Sequence, residues 1–294
     1  MKNTIFTGAA TAIVTPLNKN GVDYESLGRL IEWQIENGID AIVSVGTTGE
    51  GSTLTDKEHK EVMKYTVEKV NGRVPVIAGT GSNDIQYAID LTKYACEIGA
   101  DAMLLVTPYY NKATQKGLIE SFTAIADAST KPCILYNVPS RTGCNLLPET
   151  AAVLAKHPNI VAIKEACGNI SQIAKLASLV GDDMDIYSGN DDQIVPVLSL
   201  GGKGVISVLS NIMPKETSDM CKKYLSGDTN GALKMQLELI PLIDSLFSEV
   251  NPIPVKAAVA KMGFGENYLR LPLTTMDEAK AEKMYALMKQ QGLI

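Results

Sequence analysis

Histidine is almost missing from this chain, with two residues in 294, His59 and His157. His59 lies in the charged run "TDKEHKEV" and His157 precedes Pro158, so both are expected at the surface. That scarcity argues against histidine metal clusters and His-based nucleophile triads. Cysteine is sparse too. The five residues, at 96, 133, 144, 167 and 221, form no C-x-x-C pair, and an odd number cannot complete a disulfide framework within one chain. They read as core thiols of a reducing cytoplasm. Blocks of like charge are also lacking, and the net charge is −6, so a cationic face for nucleic acid or anionic lipid is not expected. No run reaches the roughly 18 to 20 unbroken apolar residues of a membrane helix. Phosphate-binding signatures of the G-x-x-x-x-G-K-[ST] or G-x-G-x-x-G type are missing. "GGKG" at 201–204 precedes a strand instead of opening a helix after one, and reads as a turn. The first residues, "MKNTIFTGAATAIVTPLNKNG", are broken by threonines and a glycine, so a strand is expected there and not a signal sequence.

What the chain does contain is a repeating alternation. With 45% hydrophobic and 20% charged residues it can bury a large core. Apolar runs of strand length occur at 11–17, 41–45, 75–80, 102–108, 132–139, 160–166, 185–190 and 204–209. Helical patterns separate them. Leu27, Leu30, Ile31 and Ile35 share one face of a segment over 23–37, with Asp23 as N-cap and Gly38 at the stop. Thr55 and Glu58 have the spacing of a capping box. Eight continuous apolar runs alternating with helices predict parallel strands covered on both faces, hence an α/β fold of the (β/α)8 TIM-barrel type. An open doubly wound sheet is the competitor, but "TPLNKNG" is not the Gly-rich phosphate turn expected after its first strand. From about residue 228 helical patterns predominate, which predicts a barrel over 1–227 and a helical appendage over 228–294.

In such a barrel the ends of the strands and the loops after them share one mouth. Lys164, in "NIVAIKEACGN", sits near the end of the sixth run. Thr47 and Thr48 follow the second, Tyr109 and Tyr110 the fourth, Tyr136 lies toward the end of the fifth and Arg141 just beyond it. An ammonium group moved out of water loses its proton more easily, and the neutral amine attacks a carbonyl to form a Schiff base. The protonated imine then promotes loss of a proton from the adjacent carbon, leaving an enamine that attacks an aldehyde. A tyrosine can carry that proton where neighbouring hydroxyls share it, and Tyr136, Thr47 and Tyr110 are candidates for such a relay. Arg141 offers a planar fork for a carboxylate. Each residue has a plainer alternative. Lys164 lies solvated or pairs with Glu165, Tyr136 is a core aromatic, "GTTGEG" is only a turn, and Arg141 anchors its own loop. Only the joint placement of these residues raises the catalytic reading above them.

The segments "AIVSVGTTGE", "PVIAGTGSN", "VTPYYNK", "ILYNVPSRTG", "IKEACGN", "GGKGVISV" and "NPIPVKAA" occur in this order along essentially the whole chain. Together they resemble the dihydrodipicolinate synthase family of pyruvate-dependent class I aldolases. The resemblance implies that Lys164 forms the imine with pyruvate, with Tyr136, Thr47 and Tyr110 as proton relay. It implies that Thr48 and the backbone at Ile206 hold the pyruvate carboxylate and that Arg141 receives aspartate 4-semialdehyde, a condensation serving lysine and diaminopimelate biosynthesis. Neither metal nor organic cofactor is implied. In the family the tyrosine matching Tyr110 reaches a neighbouring subunit's site, so the resemblance implies a dimer paired into a homotetramer. The helical tail is expected to support assembly and not chemistry.

Thr47-Thr48, "YYN" at 109–111 and "PSR" ending at Arg141 favour this branch over N-acetylneuraminate lyase and 2-keto-3-deoxy sugar acid aldolases. A catalytically silent keto-acid sensor is the reading from another class, and an intact Lys164 with Tyr136 weighs against it. Part of the family is inhibited by lysine at the dimer interface. Here Gly51 shifts Ser52, Asp56 stands where a histidine occurs in some members, and Tyr87 replaces an acidic residue, although Asn83, His59 and Tyr109 remain. Loss of a carboxylate removes a charge-assisted partner for a cationic effector, so weak or absent lysine inhibition is expected.

Overall fold

The structure is a computed structural model that describes residues 2–294. Among these, eight parallel strands close into a barrel: β1 (Gly8–Ala12), β2 (Ala41–Ser44), β3 (Val76–Gly79), β4 (Ala102–Val106), β5 (Cys133–Asn137), β6 (Ile160–Glu165), β7 (Asp185–Ser188) and β8 (Gly204–Ser207). Strands adjacent in sequence are adjacent in the barrel, and β8 pairs with β1 to close it. The helices alternate with them: α1 (Tyr24–Glu36), α2 (Asp56–Val70), α3 (Ile85–Glu97), α4 (Gln115–Asp127), α5 (Pro148–Leu154), α6 (Ile170–Val180), α7 (Ile194–Ser199) and α8 (Pro214–Leu225). The fold is the expected (β/α)8 barrel. Three further helices, α9 (Thr229–Leu246), α10 (Ile253–Lys261) and α11 (Glu278–Gln290), form the tail. No helix among the described residues is long and apolar enough to cross a membrane.

Local chemistry accounts for most boundaries. The Asp23 carboxylate accepts from the Ser26 N–H at 3.0 Å and starts α1. At α2 the capping box forms in both directions. The Glu58 carboxylate accepts from the Thr55 N–H at 2.9 Å, and the Thr55 hydroxyl accepts from the Glu58 N–H at 3.3 Å. The first strand departs from its expected position. It runs over Gly8–Ala12, whereas Leu17–Asn18 pairs with Gly21–Val22 in a short hairpin outside the barrel. Where β1 meets β8 the backbones pass so close that a Cβ at Gly204 would lie 1.8 Å from the Gly8 carbonyl oxygen. The last glycine of "GGKG" therefore serves barrel closure.

The core has two shells. Inside the barrel lie Ala10, Val43, Ile77, Leu104, Ile134, Tyr136, Ala162, Tyr187 and Ile206. Phe6, just ahead of β1, stacks on Tyr187 at 4.3 Å between centroids, and the Tyr187 hydroxyl donates to the Phe6 carbonyl at 2.7 Å. Outside, strand residues such as Ile42, Leu105 and Leu135 meet the helices, with Phe122 on α4 fully enclosed. Removing that ring would cost about 3–5 kcal/mol. The tail is tied in by polar contacts as well. Gln236 on α9 donates to the Asp191 carbonyl at 2.9 Å and accepts from the Val195 N–H at 3.2 Å. All five cysteines are free among the described residues; 133, 144 and 221 are buried as expected of core thiols, whereas 96 and 167 are only half-buried.

Candidate active site

Side chains alternate across a strand, and that parity separates Lys164 from its neighbour Glu165. On β6 Lys164 registers with Tyr136 of β5 on one side and Tyr187 of β7 on the other, all three facing the barrel interior. Glu165 registers with Asn137 and turns outward, where the Asn137 amide donates to both carboxylate oxygens at 3.0 and 3.1 Å. The Cys167 N–H donates to it at 2.8 Å. Glu165 is thus not the partner of Lys164. Among the described residues no carboxylate forms an ion pair with the Lys164 ammonium, which lies 4.4 Å from the centroid of the Tyr136 ring. Burial pulls its pKa from 10.5 down to about 8, with Asp191 opposing and Arg141 adding to the fall.

A cavity of about 370 Å³ opens at the carboxyl ends of the strands, and Thr47, Tyr136 and Arg141 share its wall. Burial pushes the Tyr136 phenol above its ordinary value, while the Arg141 charge and the Thr47 hydroxyl draw it back. Thr48 is buried beside Thr47, and its hydroxyl oxygen accepts from the Asn251 side-chain amide at 3.0 Å. Thr48 itself is not on the cavity wall. Arg141 stands on a helical turn, Pro139–Thr142, and donates to the Asn251 carbonyl at 2.9 Å. Ile206 is fully buried in β8, opposite Ala10 of β1, and not on the cavity wall. Tyr110 is not on the wall either. It projects outward, 91% exposed, from a backbone with φ of 70°, while Tyr109 lines the cavity.

His59 is not at the surface. It is buried on the inner face of α2 with Val62, Met63 and Thr66, and its Nε2 lies 2.9 Å from the Gly79 carbonyl oxygen. The charged residues around it in sequence occupy the other faces of the helix, which hides a buried imidazole from a reading of local composition. Burial lowers its pKa. His157 is half-buried and reaches Asp127 at 3.0 Å.

Two residues of this neighbourhood escaped the sequence reading. Asp191 is 1% exposed; one carboxylate oxygen accepts from the Val208 and Leu209 N–H groups at 3.0 and 2.9 Å, and the other has no partner among the described residues. Its charge offsets that of Lys164. Asn251 belongs to the tail and bridges Thr48 and Arg141, so the tail reaches the mouth instead of serving assembly alone. The motif "NPIPVKAA" was visible, but nothing local says that its first residue crosses to the other end of the chain.

A buried amine beside a phenol, threonine hydroxyls and a guanidinium suits addition to a carbonyl of an anionic substrate. Comparison with known proteins agrees with that chemistry. The family model of the dihydrodipicolinate synthetase family matches residues 5–291. A 4-hydroxy-tetrahydrodipicolinate synthase from Lachnoclostridium phytofermentans is 60% identical over 292 residues, 99% of each chain. Among solved structures, the chloride-inhibited dihydrodipicolinate synthase from Acinetobacter baumannii in complex with pyruvate is 47% identical, with a TM-score of 0.96 covering 99% of this chain and 100% of that one. A structure described as the first monomeric dihydrodipicolinate synthase variant is 44% identical, with a TM-score of 0.97 over 99% of this chain and 98% of that one. The chain belongs to the dihydrodipicolinate synthetase family.

Proposed function

We propose that this chain is a Schiff-base lyase that condenses pyruvate with L-aspartate 4-semialdehyde to 4-hydroxy-tetrahydrodipicolinate, in lysine and diaminopimelate biosynthesis. Neutral Lys164 attacks the pyruvate keto carbon and water leaves as the imine forms. A proton departs from the methyl carbon through Tyr136, Thr47 and Tyr110, and the enamine attacks the aldehyde carbon of the second substrate. The amino group of that substrate then adds to the imine carbon and releases Lys164, closing the ring. Thr48 and the Ile206 backbone hold the pyruvate carboxylate, and Arg141 receives the semialdehyde carboxylate.

The observation that carries the reading is the buried Lys164 ammonium against Tyr136, with its pKa brought down to about 8. Borohydride reduction in the presence of pyruvate, followed by peptide mass mapping, tests it. A pyruvate-derived adduct on the 159–169 peptide is expected; an unmodified peptide overturns the proposal.

The working unit in this proposal is a cytoplasmic homodimer, paired into a tetramer. Support comes from Tyr110, whose exposed phenol stands away from its own cavity, and, for the compartment, from free thiols. Mixing Lys164→Ala with Tyr110→Phe subunits tests the exchange. Recovery of activity is expected, because a Tyr110→Phe subunit keeps its lysine and borrows the neighbour's tyrosine; no recovery refutes it.

A further inference from the structure

We infer that Glu50 and Lys256 form a positioning pair through which the C-terminal segment holds Thr47 and Thr48 in their working places. The inference rests on the roles proposed above for those threonines.

The loop between β2 and α2 carries backbone strain that its own hydrogen bonds, such as the Thr53 N–H to the Glu50 carbonyl at 3.0 Å, must hold against. Two non-glycine residues, Val45 and Glu50, have φ of 51° and 54°, in the left-handed region that a Cβ disfavours. Backbone approach is tight, since a Cβ at Gly51 would meet the Val45 carbonyl oxygen at 2.4 Å. Within the loop the Glu50 N–H donates to the Thr47 carbonyl at 3.2 Å, so a displaced Glu50 moves Thr47 directly.

Besides Thr15, whose hydroxyl donates to the Gly49 carbonyl at 2.7 Å, what grips the loop from outside is one stretch of the tail, 251–270. Asn251 donates to Thr48 at 3.0 Å. Lys256 on α10 meets Glu50 at 2.5 Å, with the two side chains 2% and 1% exposed. The Arg270 N–H reaches the second Glu50 oxygen at 3.4 Å, and the Arg270 guanidinium donates to the Thr53 carbonyl at 2.9 Å and to Glu58 at 2.8 Å. The loop is therefore held at positions 48, 50 and 53 by residues more than two hundred positions away.

Among these contacts the Glu50–Lys256 pair is the one whose loss has a direction. Without the ammonium, a carboxylate is left buried and uncompensated, and it lowers its energy by swinging toward water. Such a movement carries Thr47 and Thr48 with it; when Glu50 is lost instead, the unpaired Lys256 ammonium draws α10 toward water, and Asn251, just ahead of that helix, carries Thr48 with it. Neutralising both partners removes that drive, which separates a positioning role from ordinary packing.

The test measures borohydride trapping of pyruvate on Lys164 against pyruvate concentration for wild type, Lys256→Met, Glu50→Gln and the double variant, with Tm and circular dichroism alongside. Each single variant is expected to raise half-saturating pyruvate by about tenfold or more at retained fold, and the double variant to return within about threefold of wild type. If Lys256→Met fails to fold, Glu50→Gln and the double variant carry the same comparison. Wild-type half-saturation in the single variants, with only Tm lowered, overturns the positioning role. So does a double variant worse than the worse single. Absence of trapping in wild type overturns the Schiff-base reading, and this inference with it.

Discussion

Lys164 in the barrel and Lys256 in the tail are buried to nearly the same depth, at 5% and 3% exposure, and burial lowers the pKa of both. Their surroundings differ in one respect. Lys256 meets the Glu50 carboxylate at 2.5 Å, whereas Lys164 faces the ring of Tyr136. A buried ammonium with a carboxylate in contact has its charge matched and holds two parts of the fold together. One without such a partner gives up its proton near neutrality and is available as a nucleophile. Depth alone does not mark a chemical group; the partner beside it does.

Substituting the two lysines alike sharpens that contrast. Lys164→Met is expected to cut turnover by about four orders of magnitude and abolish pyruvate trapping, with a smaller loss of stability than Lys256→Met, since no contact ion pair is broken. Turnover near wild type would erase the difference between the two sites. Lys256→Met is expected to cost about 3–5 kcal/mol of stability in denaturant titration, because Glu50 is left unpaired. A loss below about 1 kcal/mol would make the tail lysine as dispensable to folding as the barrel one.

Smaller effects are expected at the rim of the mouth. Arg141→Ala should lower kcat/KM for the semialdehyde about 10- to 100-fold with pyruvate trapping retained, whereas no loss would point to a sibling aldolase acting on a sugar acid. The rate of imine formation should fall about tenfold per pH unit below the Lys164 pKa of about 8, since only the neutral amine attacks, and level off above it. A pH-independent rate between 6 and 8 would refute that assignment.

The smallest expected effect is that of added lysine. Asp56 is already engaged, pairing with Lys60 at 2.9 Å, so it is a poor partner for a further ammonium group. Initial rates should hardly change on titration with lysine. Inhibition at micromolar to low millimolar concentration would refute this.

Much of the architecture was legible in the chain itself. Continuous apolar runs marked seven of the eight strands to within a few residues, because both faces of a barrel strand are covered. The first was misplaced. The apolar residues of "TAIVTPL" continue past the strand into a buried loop and hairpin, while the strand itself uses small residues that carry little hydrophobic signal. Lys164, Tyr136, Thr47 and Arg141 were legible as a group because strand ends in a barrel converge. The inward position of His59 and the bridge made by Asn251 were not, since each depends on a surface contributed by a distant segment.

Sequence alone determined the alternation of strands and helices, the capping of α1 and α2, and the presence of a lysine at a strand end, all consequences of periodicity and short-range hydrogen bonding. Only the tertiary structure decided which charged groups face each other. Strand parity turns Glu165 away from Lys164, while the tail folds back to bring Lys256 onto Glu50. A charge taken out of water is governed by what stands within a few ångströms of it, and in this chain that neighbour is supplied from another part of the fold.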